Sequence, residues 1–382
     1  MGTTEELAKL ICDLVAIESV NPDLVAHGSG EGAIARFVAS WLREEGLAVE
    51  IVEPAPGRPS VVGVLEGSGG GQSLMLNAHM DTVGAGGMTR AFDPVVESGR
   101  IYGRGTYDMK GSLAAIMLTA KRARRSRLAG DLIITAVADE EVASLGTSAV
   151  LERFGADAAI VTEPTELRLC LAHKGFAWIE VETRGVAAHG SRSDLGVDAV
   201  AHAGSILTGI AELDRELHGR SRHSLLGTGS VHASLIEGGQ ELSTYPARCV
   251  VKLERRTVPG EDGPAVLGEI NQLIAHARQG DPSLSASARM LLERAPSEVG
   301  ADEVVATAVS GAARQALGRS PELIGVAYWM DMALLNAAGI PTVAFGPIGE
   351  GAHADVEWVD IGSLEACVRT YVGVAETICG RR

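Results

Sequence analysis

Apolar residues recur with two spacings along the chain, and these spacings predict where helices and strands form. A spacing of three to four positions, typical of an amphipathic helix, occurs in residues 4–17, 31–46 and 112–123. Short apolar runs bounded by polar residues or Gly predict strands, and they occupy residues 60–65, 73–77, 132–138 and 158–161. Strands that alternate with helices predict an α/β sheet with helices on both faces.

The pattern changes near residue 176. The following segments are predicted as strand, helix, strand, strand, helix and strand, over residues 177–183, 197–217, 231–236, 249–255, 264–277 and 283–292. This order is that of a ferredoxin-like α+β unit. The α/β pattern then returns with a helix, a strand and a helix at residues 301–317, 342–345 and 361–378. We therefore predict an α/β/α domain with a mixed sheet, formed by residues 1–176 and 294–382, and an inserted ferredoxin-like α+β domain of residues 177–293.

Composition narrows the classes of partner. The chain has 382 residues, enough for about two domains, and a net charge of −16. Such a charge argues against binding nucleic acid or an anionic membrane. The acidic N-terminal segment does not resemble a signal peptide, and no apolar run approaches the roughly 20 residues of a membrane span. Five widely spaced cysteines with no C-x-x-C pair fit a reducing cytoplasm.

Candidate ligands for a metal ion follow the predicted strands or precede a predicted helix. These residues are His79, Asp81, Asp108, Glu140, Glu141, Glu163 and His353. In an open α/β sheet, ligands bind at the carboxyl ends of the strands, so these side chains are expected to converge in one crevice.

Each of these residues has an ordinary explanation when taken alone. A His-x-Asp pair is usually at the surface, a Glu-Glu pair after a strand is usually in a solvated loop, and an Asp before a helix is usually an N-cap. Their repeated occurrence at strand ends favours a shared site. Clustered carboxylates repel one another unless a multivalent cation is present, and imidazole with carboxylate suits zinc, cobalt or manganese.

The sequence also resembles the family of metallopeptidases and deacylases typified by acetylornithine deacetylase, succinyl-diaminopimelate desuccinylase, aminoacylase and carboxypeptidase G. The resemblance spans nearly the whole chain, and it implies that the α/β/α domain is the catalytic domain and the inserted domain a lid. The most specific segments that carry it are LNAHMDTV (76–83), GRGTYDMKG (103–111), DEE (139–141), TEP (162–164) and GPIGEGAHADVEWV (346–359).

The resemblance implies a site for two zinc ions, with cobalt or manganese as alternatives. His79 and Glu163 would bind the first ion, and Glu141 and His353 the second. Asp108 would bridge both ions.

The resemblance also implies three catalytic roles. Glu140 would act as general base and then as general acid, and Asp81 would hydrogen-bond His79 and fix its tautomer. His189, in the lid segment GVAAHGS, would stabilise the oxyanion, in some relatives from a partner subunit. A homodimer formed through the lid is expected on the same basis.

The same resemblance implies that Arg256, Ser243 and Asp331 contact the substrate. The Arg256 guanidinium could hold a substrate carboxylate, whereas Arg255 is expected to face the other way, into solvent. Ser243 stands where the family often has Asn. Asp331 lies between Met330 and Met332, where the family often has Thr and Ala. These departures suggest an acyl group or side chain other than the commonest one in the family, which puts acetylornithine in doubt.

Three functions stay open at this point. The first is a deacylase that hydrolyses the linear amide bond of a small N-acyl amino acid, and the second is a dipeptidase or carboxypeptidase with the same chemistry. The third, a relative without metal that only binds a ligand, is disfavoured because no expected ligand or base is missing. Neither G-x-S-x-G nor H-E-x-x-H occurs, which argues against a serine hydrolase and a single-zinc helix protease.

Overall fold

A computed structural model describes residues 3–380 and divides the chain into two compact units. The first unit contains the chain up to Leu171, together with Val299–Ile324 and the chain from Met330 onward. The second unit contains Ala172–Glu298 and Gly325–Trp329. The second unit is thus an insertion in the sequence of the first.

The helices, in chain order, are α1 (Thr3–Val15), α2 (Gly32–Glu44), α3 (Gly111–Ala123), α4 (Leu145–Leu151), α5 (Ala199–Gly219), α6 (Gly263–Gly280), α7 (Val304–Leu317), α8 (Met332–Ala337) and α9 (Ile361–Ile378). The strands are β1 (Ala48–Val52), β2 (Ser60–Leu65), β3 (Leu74–His79), β4 (Val95–Glu97), β5 (Arg100–Tyr102), β6 (Leu132–Val137), β7 (Ala158–Val161), β8 (Leu169–His173), β9 (Gly175–Arg184), β10 (Ser230–Gly238), β11 (Arg248–Thr257), β12 (Ser285–Arg294), β13 (Ser297–Glu298), β14 (Leu323–Val326), β15 (Thr342–Ala344), β16 (Gly349–Glu350) and β17 (Trp358–Asp360).

A nine-stranded mixed sheet has the order β1-β2-β6-β3-β7-β15-β8-β13, with β14 also paired to β8. The strands β6, β3, β7 and β15 run parallel, whereas β1 and β2 are antiparallel to their neighbours. Every residue of β3 and β6 is buried, as expected for central strands covered on both faces. The predicted mixed sheet is confirmed.

Helices cover both faces of this sheet. On β2, Leu42 of α2 lies over Gly63, while Gly146 of α4 lies against Ser60. Side chains alternate along a strand, so positions 60 and 63 face opposite sides, and α2 and α4 belong to different layers. The predicted α/β/α arrangement of the catalytic unit follows from these contacts.

The second unit contains a four-stranded antiparallel sheet in the order β10-β11-β9-β12. Helices α5 and α6 pack on one face of it and bury an aliphatic core that includes Ile179, Ile206, Val251 and Ile270. The chain order β9-α5-β10-β11-α6-β12 confirms the predicted ferredoxin-like fold. At the boundary of the unit, Ser297 pairs with His173 and Glu298 with Ala172, so the two ends of the insertion are adjacent.

A small four-stranded sheet, β16-β17-β5-β4, belongs to the first unit. In it, Tyr102 of β5 pairs with Trp358 of β17 in antiparallel register. The chain that follows β5 and the chain that precedes β17 are therefore neighbours. These two segments contain Asp108 and His353.

Most of the longer predicted elements are present, and α9 and β2 have the predicted bounds. The elements that were not predicted are the short strands β1, β4, β5, β8, β13, β14, β16 and β17 and the short helices α4 and α8. Short elements contain too few residues to establish a period, and β1 (Ala48–Val52) is a half-exposed edge strand without a continuous apolar face.

Two further observations concern composition. Among residues 3–380, no helix is long and apolar enough to cross a lipid bilayer. The five cysteines all lie within the described residues, none of them forms a disulfide, and four of them are buried.

Candidate active site

The predicted ligands lie at one edge of the main sheet. His79 is the last residue of β3, Glu140 and Glu141 follow β6, and Glu163 follows β7. Because these strands are parallel neighbours, their carboxyl ends meet at the same edge. Asp108 comes from the turn before α3.

One group of potential metal ligands comprises His79, Asp108 and Glu163, with ligand atoms within 4.8 Å of one another. His79 Nε2 lies 2.9 Å from Asp108 Oδ1 and 3.6 Å from Glu163 Oε1. His79 and Glu163 are buried and Asp108 is half-buried.

A second group comprises Asp108, Glu141 and His353, again with ligand atoms within 4.8 Å. His353 Nε2 lies 3.0 Å from Glu141 Oε2 and 3.4 Å from Asp108 Oδ2. Asp108 thus directs Oδ1 to the first group and Oδ2 to the second. This is the arrangement that a carboxylate bridging two metal ions requires.

The electrostatics of this cluster fit a cationic cofactor. Burial would lower the pKa of His79, but the hydrogen bond to Asp108 and the charges of Glu163, Asp108 and Asp81 outweigh it, and the pKa is raised well above its usual value. Hydrogen bonds to Asp108 and Glu141 raise the pKa of His353 to about 10. Without metal, the imidazoles therefore take up protons to balance the carboxylates.

Two of the carboxylates also hold protons more strongly than usual. Burial raises the pKa of Glu140 and of Glu163 well above the usual value, and neighbouring carboxylates add to the effect. Two divalent cations would remove the need for these protons, and the donor set of imidazole and carboxylate suits zinc, cobalt or manganese. The residues present therefore fit a two-metal centre.

Asp81 organises the turn that carries Glu140 and Glu141. Its carboxylate accepts the backbone N–H of Glu140 at 3.1 Å and of Glu141 at 3.2 Å. The contact expected between this carboxylate and His79 is long, 3.6 Å from Oδ1 to Nδ1. Instead, His79 Nδ1 lies 2.9 Å from the backbone carbonyl of Asp81. A ring N–H donated to that carbonyl leaves Nε2 free to bind a metal ion.

A buried polar network that sequence reasoning missed supports the same turn. Asn21 Nδ2 donates to Asp81 at 2.8 Å and to Asp139 at 3.0 Å. Arg58 donates to Asp139 at 2.7 Å and pairs with Glu31 through two further hydrogen bonds. Asp139, Glu31 and Asn21 are fully buried, so this network holds the residue directly before Glu140 in place.

A second network that was missed connects two of the segments that carry the family resemblance. Arg104, in GRGTYDMKG, donates to Glu357, in HADVEWV, at 2.7 Å. Glu357 also accepts backbone N–H groups of the turn that contains Asp108. Both side chains are about 1% exposed.

Asp331 lies in the first unit, at the start of α8. It is buried and accepts a hydrogen bond from Thr147 at 2.5 Å. Burial raises its pKa to about 6, and it contributes to the raised pKa of Glu140 and Glu163. Met330 and Met332 on either side of it are fully buried.

The remaining predicted residues lie in the second unit. His189 is exposed, its Nδ1 is 2.8 Å from Ser191 Oγ, and its backbone forms a bridge with Thr244. Ser243, also exposed, accepts the N–H of Gly190 through its backbone carbonyl at 2.6 Å. The structure therefore brings the His189 and Ser243 segments together.

Arg256 lies at the other end of the same sheet. It pairs with Phe176 at the start of β9, whereas the His189 segment follows Arg184 at the end of β9. At about 3.3 Å per residue, these ends are roughly 26 Å apart. Arg256 Nε donates to Glu254 at 2.7 Å, and its guanidinium lies over the Phe176 ring.

The prediction that Arg255 faces solvent is wrong. Its guanidinium is fully buried and pairs with Glu261 at 2.8 Å and with Glu269 at 3.1 Å. Cys249, Val251 and Leu253 are at every second position along β11 and face the core. Arg255 continues that inward alternation, and the acidic residues near α6 compensate its charge.

Comparison with known proteins gives matches over most of the chain. The N-formyl-4-amino-5-aminomethyl-2-methylpyrimidine deformylase of Bacillus subtilis (strain 168) is 27% identical over 413 residues, covering 99% of this chain and 96% of that protein. An acetylornithine deacetylase of Erwinia tasmaniensis is 31% identical over 270 residues, covering 69% of this chain and 70% of the relative.

A solved structure shares the fold. The Bacillus subtilis YXEP protein, described as a dinuclear metal binding peptidase from the M20 family, superimposes with a TM-score of 0.74 at 18% identity, covering 98% of this chain and 99% of that one. The profile of the family described as Peptidase family M20/M25/M40 matches residues 75–377. Because this match covers most of the chain, the protein belongs to peptidase family M20/M25/M40, and the predicted membership in a family of amide-bond hydrolases is confirmed.

Proposed function

We propose that this protein removes a short acyl group from a small N-acyl amino acid or related amide, with two zinc-like ions bound per chain. The observation that carries the proposal is Asp108, whose two oxygens face two separate ligand groups next to Glu140. The deformylase and deacetylase names of two relatives support acyl removal over peptide cleavage.

The residues divide into those that would hold the ions and those that would move protons. His79, Glu163 and Asp108 would hold one ion, and Glu141, His353 and Asp108 the other. Bound there, the ions would acidify a water and polarise the scissile carbonyl.

Glu140 follows strand β6, as Glu141 does, but it belongs to neither ligand group. Its carboxylate is therefore available for proton transfer. It would accept a proton from the attacking water at a carboxylate oxygen. It would then deliver that proton to the amine nitrogen as the C–N bond breaks.

The inserted unit, predicted as residues 177–293, would act as the lid. We propose that Arg256 holds a substrate carboxylate, that His189 stabilises the oxyanion and that Ser243 contacts the substrate. Asp331, between buried Met330 and Met332, would contribute to the wall of the pocket.

The geometry of the second unit supports the proposal of a homodimer. His189 and Arg256 are roughly 26 Å apart on one sheet, too far to contact one small substrate from the same lid. We infer that His189 reaches the site of a partner subunit. Strand β10 lies at the edge of its sheet and exposes Leu235 and Ile236, which fits pairing with a second copy.

The first test measures metal content and substrate preference together. We expect about two zinc-like ions per chain by elemental analysis, and hydrolysis that a chelator abolishes and added metal restores. Formyl and acetyl amino acids should be cleaved faster than dipeptides.

Fastest cleavage of dipeptides would support the alternative, a metallo-dipeptidase or carboxypeptidase. A clear preference for acetylornithine would contradict the specificity inferred from Met330 and Met332, and absence of bound metal would contradict the proposal itself.

Replacing Glu140 tests the proton transfer. Glu140→Gln should lower kcat by about 10²- to 10⁴-fold, with little change in KM or metal content, because only the proton acceptor is removed. Glu152→Gln, at an exposed position on the same unit, is the matched control. A Glu140→Gln variant with kcat close to that of the wild type would exclude Glu140 as the base.

Metal uptake should release protons. The raised pKa of His353, about 10, means that its ring is protonated at pH 7 to 9 in the metal-free protein, and a metal ion must displace that proton. Metal affinity should therefore rise by at least about tenfold per pH unit over this range. Calorimetry in buffers of different ionisation enthalpy measures the released protons, and His276→Ala is the control. Affinity that does not change between pH 7 and 9 would refute this account.

Mixing two inactive variants tests the contribution of His189 from the partner. Glu140→Gln and His189→Ala chains, combined under conditions that exchange subunits, should recover about a quarter of wild-type activity, because half of the dimers are hybrids with one complete site. Each variant incubated alone is the control. If hybrid dimers form and activity stays at the level of the parents, His189 acts within its own chain.

A further inference from the structure

The turn that carries Asp108 is held by a carboxylate from a distant part of the chain. Glu357 Oε1 accepts the backbone N–H of Tyr107 at 2.9 Å and of Asp108 at 3.1 Å. Its Oε2 accepts the N–H of Gly105 at 2.9 Å. Both oxygens of one buried carboxylate are thus used to fix the backbone around Asp108.

Arg104 connects the same carboxylate to two further segments. Its Nη1 donates to Glu357 Oε2 at 2.7 Å, and its Nη2 donates to the carbonyl of Ala354, next to His353, at 2.8 Å. Its Nε donates to the carbonyl of Gly84, shortly after Asp81, at 3.0 Å. One guanidinium therefore joins the segments that carry Asp81, Asp108 and His353.

The paired strands β5 and β17 add to this arrangement. Tyr102 opposite Trp358 brings the segment after β5 alongside the segment before β17. The register of the strands sets the approximate distance between Asp108 and His353. The Arg104–Glu357 pair further restrains the backbone of the two segments that carry these residues. Neither Arg104 nor Glu357 belongs to a ligand group.

We propose that Arg104 and Glu357 are positioning residues for the metal centre, which set Asp108 relative to His353 and thereby control how tightly ions bind. The inference rests on the proposed two-metal function. Outer hydrogen bonds that orient metal ligands typically change metal affinity by about 10- to 100-fold when they are lost.

The amide of glutamine would not replace this carboxylate. Glu357 accepts three backbone N–H groups and an Arg104 N–H with its two oxygens. In Glu357→Gln, one oxygen becomes an NH₂ group, which faces either the Arg104 guanidinium or backbone N–H groups. In either orientation two N–H donors face each other without an acceptor. We expect the turn to shift as a result, and the Asp108 oxygens to move away from His79 and His353.

A partly buried ion pair in the second unit provides a control. Glu261 holds Arg255 at 2.8 Å and the backbone N–H of Val258 at 3.0 Å, as Glu357 holds Arg104 and its turn. Glu261→Gln therefore breaks a similar pair with no contact to either ligand group. A loss of stability alone would affect both variants, whereas a loss of metal affinity should affect only Glu357→Gln.

The experiment titrates Zn²⁺ into metal-free wild type, Glu357→Gln, Arg104→Lys and Glu261→Gln, with a competing chelator to measure tight binding. We expect affinity to fall about 10- to 100-fold in Glu357→Gln and in Arg104→Lys, and to stay within about twofold in Glu261→Gln. Wild-type affinity in Glu357→Gln, or an equal loss in Glu261→Gln, would overturn the inference.

Amide hydrogen exchange of the metal-free proteins separates this inference from the proposed function. Exchange at Gly105, Tyr107 and Asp108 should be faster in Glu357→Gln and unchanged in Glu261→Gln. Unchanged protection of these amides in Glu357→Gln would refute the positioning role. If wild type binds no Zn²⁺, the proposed function fails, and amide exchange still decides whether the pair positions the turn. If Glu357→Gln does not fold, Arg104→Lys gives the same comparison with the charge retained.

Discussion

The sharing of Asp108 between two histidines is the interaction on which the site depends. One oxygen lies 2.9 Å from His79 and the other 3.4 Å from His353, although these histidines come from distant parts of the sequence. Hydrogen bonds that Glu357 accepts from the Asp108 turn, and that Asp81 accepts from the Glu140 and Glu141 amides, hold these carboxylates close together. Like charges at such distances are tolerated only if protons or metal cations compensate them, and the side chains collected at the sheet edge can bind either.

The sequence was sufficient to predict the fold class and the composition of this cluster, since both depend on local patterns. Parallel strands end in buried apolar runs, and the residue types directly after them are visible without a structure. The finer contact between Asp81 and His79 could not be predicted, because it depends on whether a backbone carbonyl or a carboxylate comes closer. Arg255 does face the other way from Arg256, but that side of β11 is the core side, as the buried positions Cys249, Val251 and Leu253 indicate.

The supporting networks lay beyond sequence reasoning for a different reason. A buried Arg or Glu has the same letter as a solvated one, and its partner is often hundreds of residues away. Arg104 and Glu357 are separated by most of the chain, and Arg58 meets Asp139 only through the packing of the sheet. Both buried arginines lie outside the ligand groups, where they balance neighbouring carboxylates without occupying the space between the candidate ligands.

The adjacent ends of the inserted unit have an evolutionary consequence. His173 of β8 pairs with Ser297 of β13 where the chain enters and leaves the long segment of this unit. This segment is therefore connected to the main sheet through two neighbouring strands. A module attached in this way can be enlarged, exchanged or deleted by a recombination event without changing the order of the catalytic strands. Sequence changes confined to this unit can therefore accumulate without altering the ligands at the sheet edge.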